Sequence, residues 1–203
     1  MLATSLVLLL ISSSLASALP SLLPRDPVAQ LISIAPTSGS CANPPAPGEC
    51  ATASEAVGPL ISGFAKYGIT TAAEQAALLS WMAFESDDFK YNKNHFPGVP
   101  GQGTRCMMSP TFVKEYASSI PALAPQVAAT TDPASVLALV SSDQYSFASA
   151  SWFLSTQCSQ SVRSQLQTGS DAGWEGFITD CVQTTVTDAR TAYWTRAKAA
   201  LYV

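Results

Sequence analysis

Three carboxylates crowd one short stretch of the chain, Phe84-Glu85-Ser86-Asp87-Asp88-Phe89, and the first of them falls where a carboxylate is costly. Upstream, Thr71 with Glu74 three residues later forms a capping box, and Ala, Leu and Met dominate the turns that follow. The pattern predicts a helix with Glu85 in its last turn. Positions seven apart nearly stack on a helix, so Glu85 should share the face of Leu78 and Met82, the face that meets the core. Burial and the negative end of the helix macrodipole both work against a charged carboxylate there. A glutamate kept neutral is a general acid, the group that must protonate the leaving oxygen when a glycosidic bond breaks. A frayed helix end that leaves Glu85 in water is the plainer alternative.

The residues after this helix fit the same chemistry. Between Phe89 and Arg105 the sequence KYNKNHFPGVPGQGTR gathers Tyr91, Asn92, Asn94, His95, Phe96 and Gln102. Sugar rings need aromatic faces against their apolar sides and amides or hydroxyls at their edges. Tyr91, Asn94, His95 and Gln102 are therefore the candidate substrate-binding residues, although an ordinary surface loop punctuated by Pro and Gly would look similar. An inverting glycosidase places a base about 6.5–9.5 Å from its acid, and a retaining one places a nucleophile at about 5–5.5 Å. Asp87, Asp88 and Glu115 are the nearby carboxylates for either role. Glu85, Asp87 and Asp88 lack the spaced ligands and the glycine turn of a calcium loop, so no metal is expected. No cofactor is expected either.

Glu85-Ser86, Phe89, Gly101 and Gly103 leading into Met107 and Pro110, then Tyr116-Ala117, resemble the pattern of the lysozyme-like superfamily. Soluble lytic transglycosylases and goose-type lysozymes are the branches most like it. Ser151-Trp152-Phe153 and the run from Asp188 to Trp194 are similar to the C-terminal part of family 19 chitinases. The resemblance covers roughly residues 55 to 203 and implies an all-α, lysozyme-like helical domain with Glu85 as the general acid. It further implies that one glutamate, helped by the substrate's own N-acetyl group, could serve without a second carboxylate. The chain departs from the pattern in having two residues between Ser86 and Phe89. It also has Met108 where those families place a glutamine, and Cys106 beside it.

Composition sets limits on the partners. The chain has 203 residues, 47% of them hydrophobic and 12% charged, with a net charge of −4. No cluster of Lys and Arg offers itself to phosphates, which argues against nucleic acid or an anionic membrane surface. Arg190, Arg196 and Lys198 read as a solvated helix face. Residues 1–18 read as a signal peptide, with an apolar run from Leu6 to Ile11 and a small-residue cleavage site at Ala16-Ser17-Ala18. Leu19 to Arg25 is a candidate pro-segment. Export agrees with the five cysteines, of which proximity pairs Cys41 with Cys50 and Cys158 with Cys181. Cys106 is left over, and its neighbours Arg105 and Met107 supply no base that would make it a nucleophile.

Elsewhere the chain reads as helices: Ser54 to Lys66 with Gly68 as its stop, Phe112 to Ser118, Pro133 to Val140, Ser146 to Leu154, a stripe through Trp174, Phe177, Ile178, Cys181 and Val182, and Thr187 to Tyr202. Pro59 should confine the first of these to its second half. A short β-hairpin is the expectation for Tyr91 to Thr104. Residues 19–53, rich in Pro, Ser and Ala, should be linker or surface wrap ahead of a domain at 54–203. The sequence thus predicts a secreted, extracellular, monomeric glycosidase, similar to fungal extracellular proteins, that cuts a β-1,4-linked amino-sugar polymer, peptidoglycan or chitin. A polysaccharide is its expected partner, with no nucleic acid and no membrane once the signal is removed. The rival expectation is a glycan-binding or effector-like protein that keeps the fold without turnover.

Overall fold

The computed structural model describes residues 26–203. The expected signal peptide and the candidate pro-segment lie outside the described residues. Among the described residues eleven α-helices follow one another: α1 Pro27–Ile34, α2 Ala53–Tyr67, α3 Ala72–Glu85, α4 Pro110–Ser118, α5 Ala124–Ala128, α6 Pro133–Leu139, α7 Asp143–Ser146, α8 Ser149–Thr156, α9 Gln160–Leu166, α10 Asp171–Gly176 and α11 Asp188–Leu201. Helix α10 widens into a π-helical turn over Phe177–Cys181. The fold is all-α. Instead of the expected hairpin, residues 91–108 form a loop with only two isolated bridges, Lys93 to Gly103 and Gly103 to Met108. Its glycines and prolines leave no alternating run of side chains to hold a ladder.

Helix α3 is the axis of the molecule. Every residue from Ala76 to Ala83 is buried, as expected of a helix that is apolar around its whole circumference. Helix α11 packs along it. The capping box predicted at its start is present: Thr71 Oγ1 accepts from the Glu74 N–H at 3.1 Å, and Glu74 returns a carboxylate oxygen to the Thr71 N–H at 3.2 Å. Glu74 is fully buried and also ties α9 to α3, accepting from Arg163 Nε at 2.6 Å and Gln167 Nε2 at 3.0 Å.

Helix α2 begins one residue before its predicted start, and a capping box at Thr52 and Glu55 satisfies its first donors. It runs unbroken through Pro59 and ends at Gly68, which takes the left-handed conformation at φ 63°. Here Pro59 does not shorten the helix. Val57, Leu60, Ile61 and Phe64, read as one apolar stripe, line a groove of about 420 Å³ with Leu31 and Leu201.

Residues 26–53 are neither linker nor loose wrap. Helix α1 buries Leu31 and Ile34. Gln30 donates to the Ala200 carbonyl at 2.7 Å, and Arg196 donates to that of Ile34 at 2.9 Å, so the two ends of the described chain are stitched together. Both expected disulfides form, Cys41–Cys50 and Cys158–Cys181. Among the described residues no helix is long and apolar enough to cross a membrane.

Candidate functional site

Glu85 ends α3, and the way that helix stops determines the shape around it. Ser86 caps it, donating its hydroxyl to the Met82 carbonyl at 2.6 Å and accepting from the Phe89 N–H at 3.0 Å. The next three residues, Asp87, Asp88 and Phe89, all take positive φ, at 49°, 55° and 68°. Such a conformation is unusual for one residue with a side chain and costs about 1 kcal/mol or more at each. Neighbours hold it in place. Asp88 accepts from the Thr37 N–H and hydroxyl at 2.8 and 2.7 Å and from the Tyr193 hydroxyl at 2.8 Å. Burial, followed by the pairing with Asp88, pushes the Tyr193 hydroxyl well above the usual tyrosine range.

Beneath the turn lies Arg105, only 1% exposed. Its Nη1 donates to the carbonyls of Phe89 and Tyr91 at 2.7 and 3.0 Å, and its Nη2 pairs with Asp143 at 2.9 Å. The guanidinium also lies over the Phe147 ring, 4.8 Å from its centre. Burial lowers its proton affinity, and the Asp143 carboxylate opposes that effect. This buried cation gives the turn a fixed base.

The structure brings all five predicted site residues to one cleft. Tyr91, Asn94, His95 and Gln102 line a recess of about 530 Å³ together with Glu85, Phe84, Asp87, Lys93 and Phe96. Two of them are partly committed to the loop itself. Asn94 Oδ1 accepts from the N–H groups of Gly98 and Val99 at 2.8 and 3.2 Å, and Gln102 Nε2 donates to the Met107 carbonyl at 3.2 Å. Asn94 Nδ2 and Gln102 Oε1 remain for a ligand. His95 Nε2 is bonded to Glu49 at 3.0 Å, and its ring centre lies 5.3 Å from that of Tyr91. Glu49 is itself buried and accepts from the Asn92 and Lys93 N–H groups, which roots the loop on the segment before α2.

Glu85 is not the lone enclosed acid that its helix position suggests. Its side chain is 19% exposed, and Arg190 Nη1 meets Oε1 at 2.5 Å. Arg190 in turn lies over the Phe84 ring, 4.2 Å from its centre, and Phe84 meets Tyr193 edge to face. Sequence reasoning missed Arg190 by assigning it to a solvated face with Arg196 and Lys198. Arg196 is bonded to Ile34 and sits over Tyr193, and Lys198 pairs with Asp171, so each of the three cations has a partner. Tyr193-Trp194 in the same helix signalled the seats of Arg196 and Lys198, but Arg190 lies against Phe84 of another helix, which no local pattern announces.

The candidate second carboxylates scatter. Asp87 shares the cleft but pairs with Lys90 at 3.3 Å. Asp88 is buried between Thr37 and Tyr193, and Glu115 lines a different shallow recess with Thr111 and Lys114. Cys106 is buried, flanked by Ser149 at 3.3 Å and Thr104 at 3.5 Å, and burial pushes its thiol up to about 11. Such a thiol is a poor nucleophile near neutral pH.

These elements define a disulfide-braced helical unit with a polar cleft at the end of its central helix. Over 149 residues, 70% of its length, the chain is 43% identical to a bifunctional dioxygenase (DOX)-epoxy alcohol synthase (EAS) of Fusarium oxysporum (strain Fo5176). It spans 12% of that relative's length. No family model and no solved structure matches the chain. The similarity overturns the reading of the chain as a glycosidase or transglycosylase on peptidoglycan or chitin, because the relative bears the name of an oxygenase-type enzyme. The physical reason agrees: Glu85 was assigned acid catalysis as an isolated buried carboxyl, and the fold supplies it with a cation.

Proposed function

We propose that the chain is a ligand-binding module of an oxygenase-type enzyme, whose cleft takes a small, neutral, oxygenated molecule. The observation that carries this reading is the cleft at Glu85, where Glu85 and Asp87 supply acceptors, Asn94, Tyr91 and Lys93 supply donors, and the aromatic rings of Phe84 and Phe96 lie alongside. With both signs of charge present and Glu85 already paired with Arg190, a neutral ligand that both donates and accepts fits better than an anion or a cation. An epoxy alcohol, the product class in the relative's name, has that character.

Binding is a better assignment than oxygen chemistry for this chain. Reactions with O₂ ordinarily rely on haem, flavin, copper or non-haem iron. Among the described residues no group of three or more His, Cys, Asp and Glu side chains could hold a non-haem metal ion, and Cys106 is sealed in the core. The matched stretch is 12% of the relative, which leaves most of that enzyme to carry the oxygen step. The two disulfides suit an oxidising compartment, and we place the chain outside the cytosol on that ground.

The test is calorimetric titration of the purified chain with 2,3-epoxyhexan-1-ol, with a soluble chitin oligosaccharide as the comparison. Saturable binding of the epoxy alcohol, weakened at least tenfold in Glu85→Ala and Tyr91→Ala, is the expected result. No saturable binding, or binding of the oligosaccharide in its place, would overturn the proposal.

A further inference from the structure

The chain has a single histidine, and it lines the cleft. What holds His95 there comes from the segment before α2. The Cys41–Cys50 bridge closes that segment into a small ring, and the Ala51 N–H fastens it to the Phe89 carbonyl at 3.0 Å. Glu49 stands beside both ties with its side chain 8% exposed. A carboxylate so enclosed must find its donors within the protein, and it does. Oε2 accepts from the Asn92 and Lys93 N–H groups at 3.1 and 3.2 Å, while Oε1 faces His95 Nε2 at 3.0 Å and Lys93 Nζ at 3.8 Å.

A neutral imidazole has one donor and one acceptor nitrogen, and the partner of the first sets the role of the second. Because Glu49 meets the ring as an acceptor, Nε2 carries the proton and Nδ1 carries a lone pair. Among the described residues nothing donates to Nδ1. The ring is 46% exposed and lies against Tyr91, which braces it without blocking its approach from the cleft. Three other acceptors of the cleft are engaged by the protein: Glu85 Oε1 by Arg190, Asp87 by Lys90, and Asn94 Oδ1 by the N–H groups of Gly98 and Val99. Nδ1 is not.

We infer that His95 selects for a hydroxyl on the ligand: the hydroxyl donates to Nδ1, and Glu49 is a positioning residue that keeps this nitrogen free of a proton. This rests on the reading of the cleft as a binding site and names the group its ligand must carry, an alcohol O–H. An epoxide or ether without one brings only acceptors and meets a lone pair at His95, where no hydrogen bond can form.

A single histidine makes the test direct, since every imidazole ¹⁵N signal of the labelled chain belongs to His95. At about pH 8.5, where an ordinary imidazole is neutral, the spectrum should show Nε2 protonated and Nδ1 bare. In Glu49→Gln the amide oxygen goes on accepting from Asn92 and Lys93, so the amide nitrogen faces the ring, donates to Nε2 and moves the proton to Nδ1. Titration with 2,3-epoxyhexan-1-ol and with its methyl ether, which has no hydroxyl donor, then reads the consequence. The alcohol should bind more tightly than the ether and weaken about three- to tenfold in Glu49→Gln and in His95→Leu, as expected for one hydrogen bond, with the ether unaffected. His95→Asn, whose amide oxygen can stand in for Nδ1, should keep the alcohol within about twofold of wild type. A proton on Nδ1 in the wild-type chain, or wild-type affinity for the alcohol in His95→Leu, would overturn the role of His95 and leave the cleft standing as a binding site. No binding of either compound would remove the binding site and this inference together.

Discussion

Two residues show how strongly local surroundings control chemistry in this protein. Glu85 has a guanidinium 2.5 Å away, and both partners are mostly enclosed. Glu85→Gln keeps the shape, removes the charge and leaves Arg190 facing a weaker partner. Urea denaturation should show a loss of about 1–2 kcal/mol, and the same change made in an Arg190→Gln background should cost clearly less. Cys106 is the opposite case, a reactive residue type made inert. Its thiol, raised to about 11 by burial, should resist a disulfide reagent at pH 8 in the folded chain and react once on unfolding in denaturant. Glu85 was legible in the sequence because helix periodicity places it. Arg190 was not, because 105 residues separate the pair and no local pattern announces a contact between the end of one helix and the start of another.

At the scale of elements, the joints between helices depend on a few side chains that do two jobs. Glu74 caps α3 and anchors α9 through Arg163. Burial works against its charge, but hydrogen bonds from Arg163, Gln167 and Thr71 prevail and hold the carboxyl below its ordinary value of 4.5. A carboxyl held low in the folded state contributes stability that is complete above its unfolded value and fades as pH falls through the folded one. Glu74→Gln should therefore flatten the acid limb of a stability profile below about pH 4.5, in addition to lowering stability near neutrality. The loop over the cleft has a different dependence. A Cβ on Gly103 would stand 2.5 Å from the Asn92 carbonyl oxygen and 2.8 Å from Leu137. Gly103→Ala should lower stability by about 1–3 kcal/mol in a thermal or chemical melt.

Helices α2, α3, α4, α6 and α11 were readable from periodicity and caps. Helix α1 was not, since eight residues amid Pro and Ser carry too little pattern to stand out from a linker, and it exists because α11 and α2 pack against it. The predicted Ser146–Leu154 helix divides into α7 and α8 around Phe147, whose ring turns inward to Phe89 and Arg105. Tertiary contact outweighed propensity there.

For the whole molecule, α1 and α11 close the described chain on itself, and two covalent ties sit on its periphery. The bridge between Cys158 and Cys181 spans 23 residues and fastens the chain after α8 to the π-helical turn. Opening it by Cys158→Ser with Cys181→Ser should cost about 3 kcal/mol, visible as a lower thermal midpoint with the helical circular dichroism retained at low temperature. The pairing was predictable from spacing. The likeness to a much larger oxygenase-type protein was not, because the short motifs around Glu85 speak of local geometry and carry no information about the chain's relatives.

Arg105 also limits how the chain can vary in length. Its guanidinium holds the carbonyls of Phe89 and Tyr91 from below, and both acceptors follow Glu85 by a fixed count of residues through three left-handed steps. Losing or gaining one residue between Ser86 and Tyr91 would carry those carbonyls out of reach and leave a buried cation with Asp143 as its remaining hydrogen-bond partner. The stretch that joins the cleft side chains to α3 therefore tolerates neither insertion nor deletion. The interval from Glu85 to Tyr91 is thus set by a charge beneath the cleft, and any ligand the cleft binds must accept the spacing that this charge imposes.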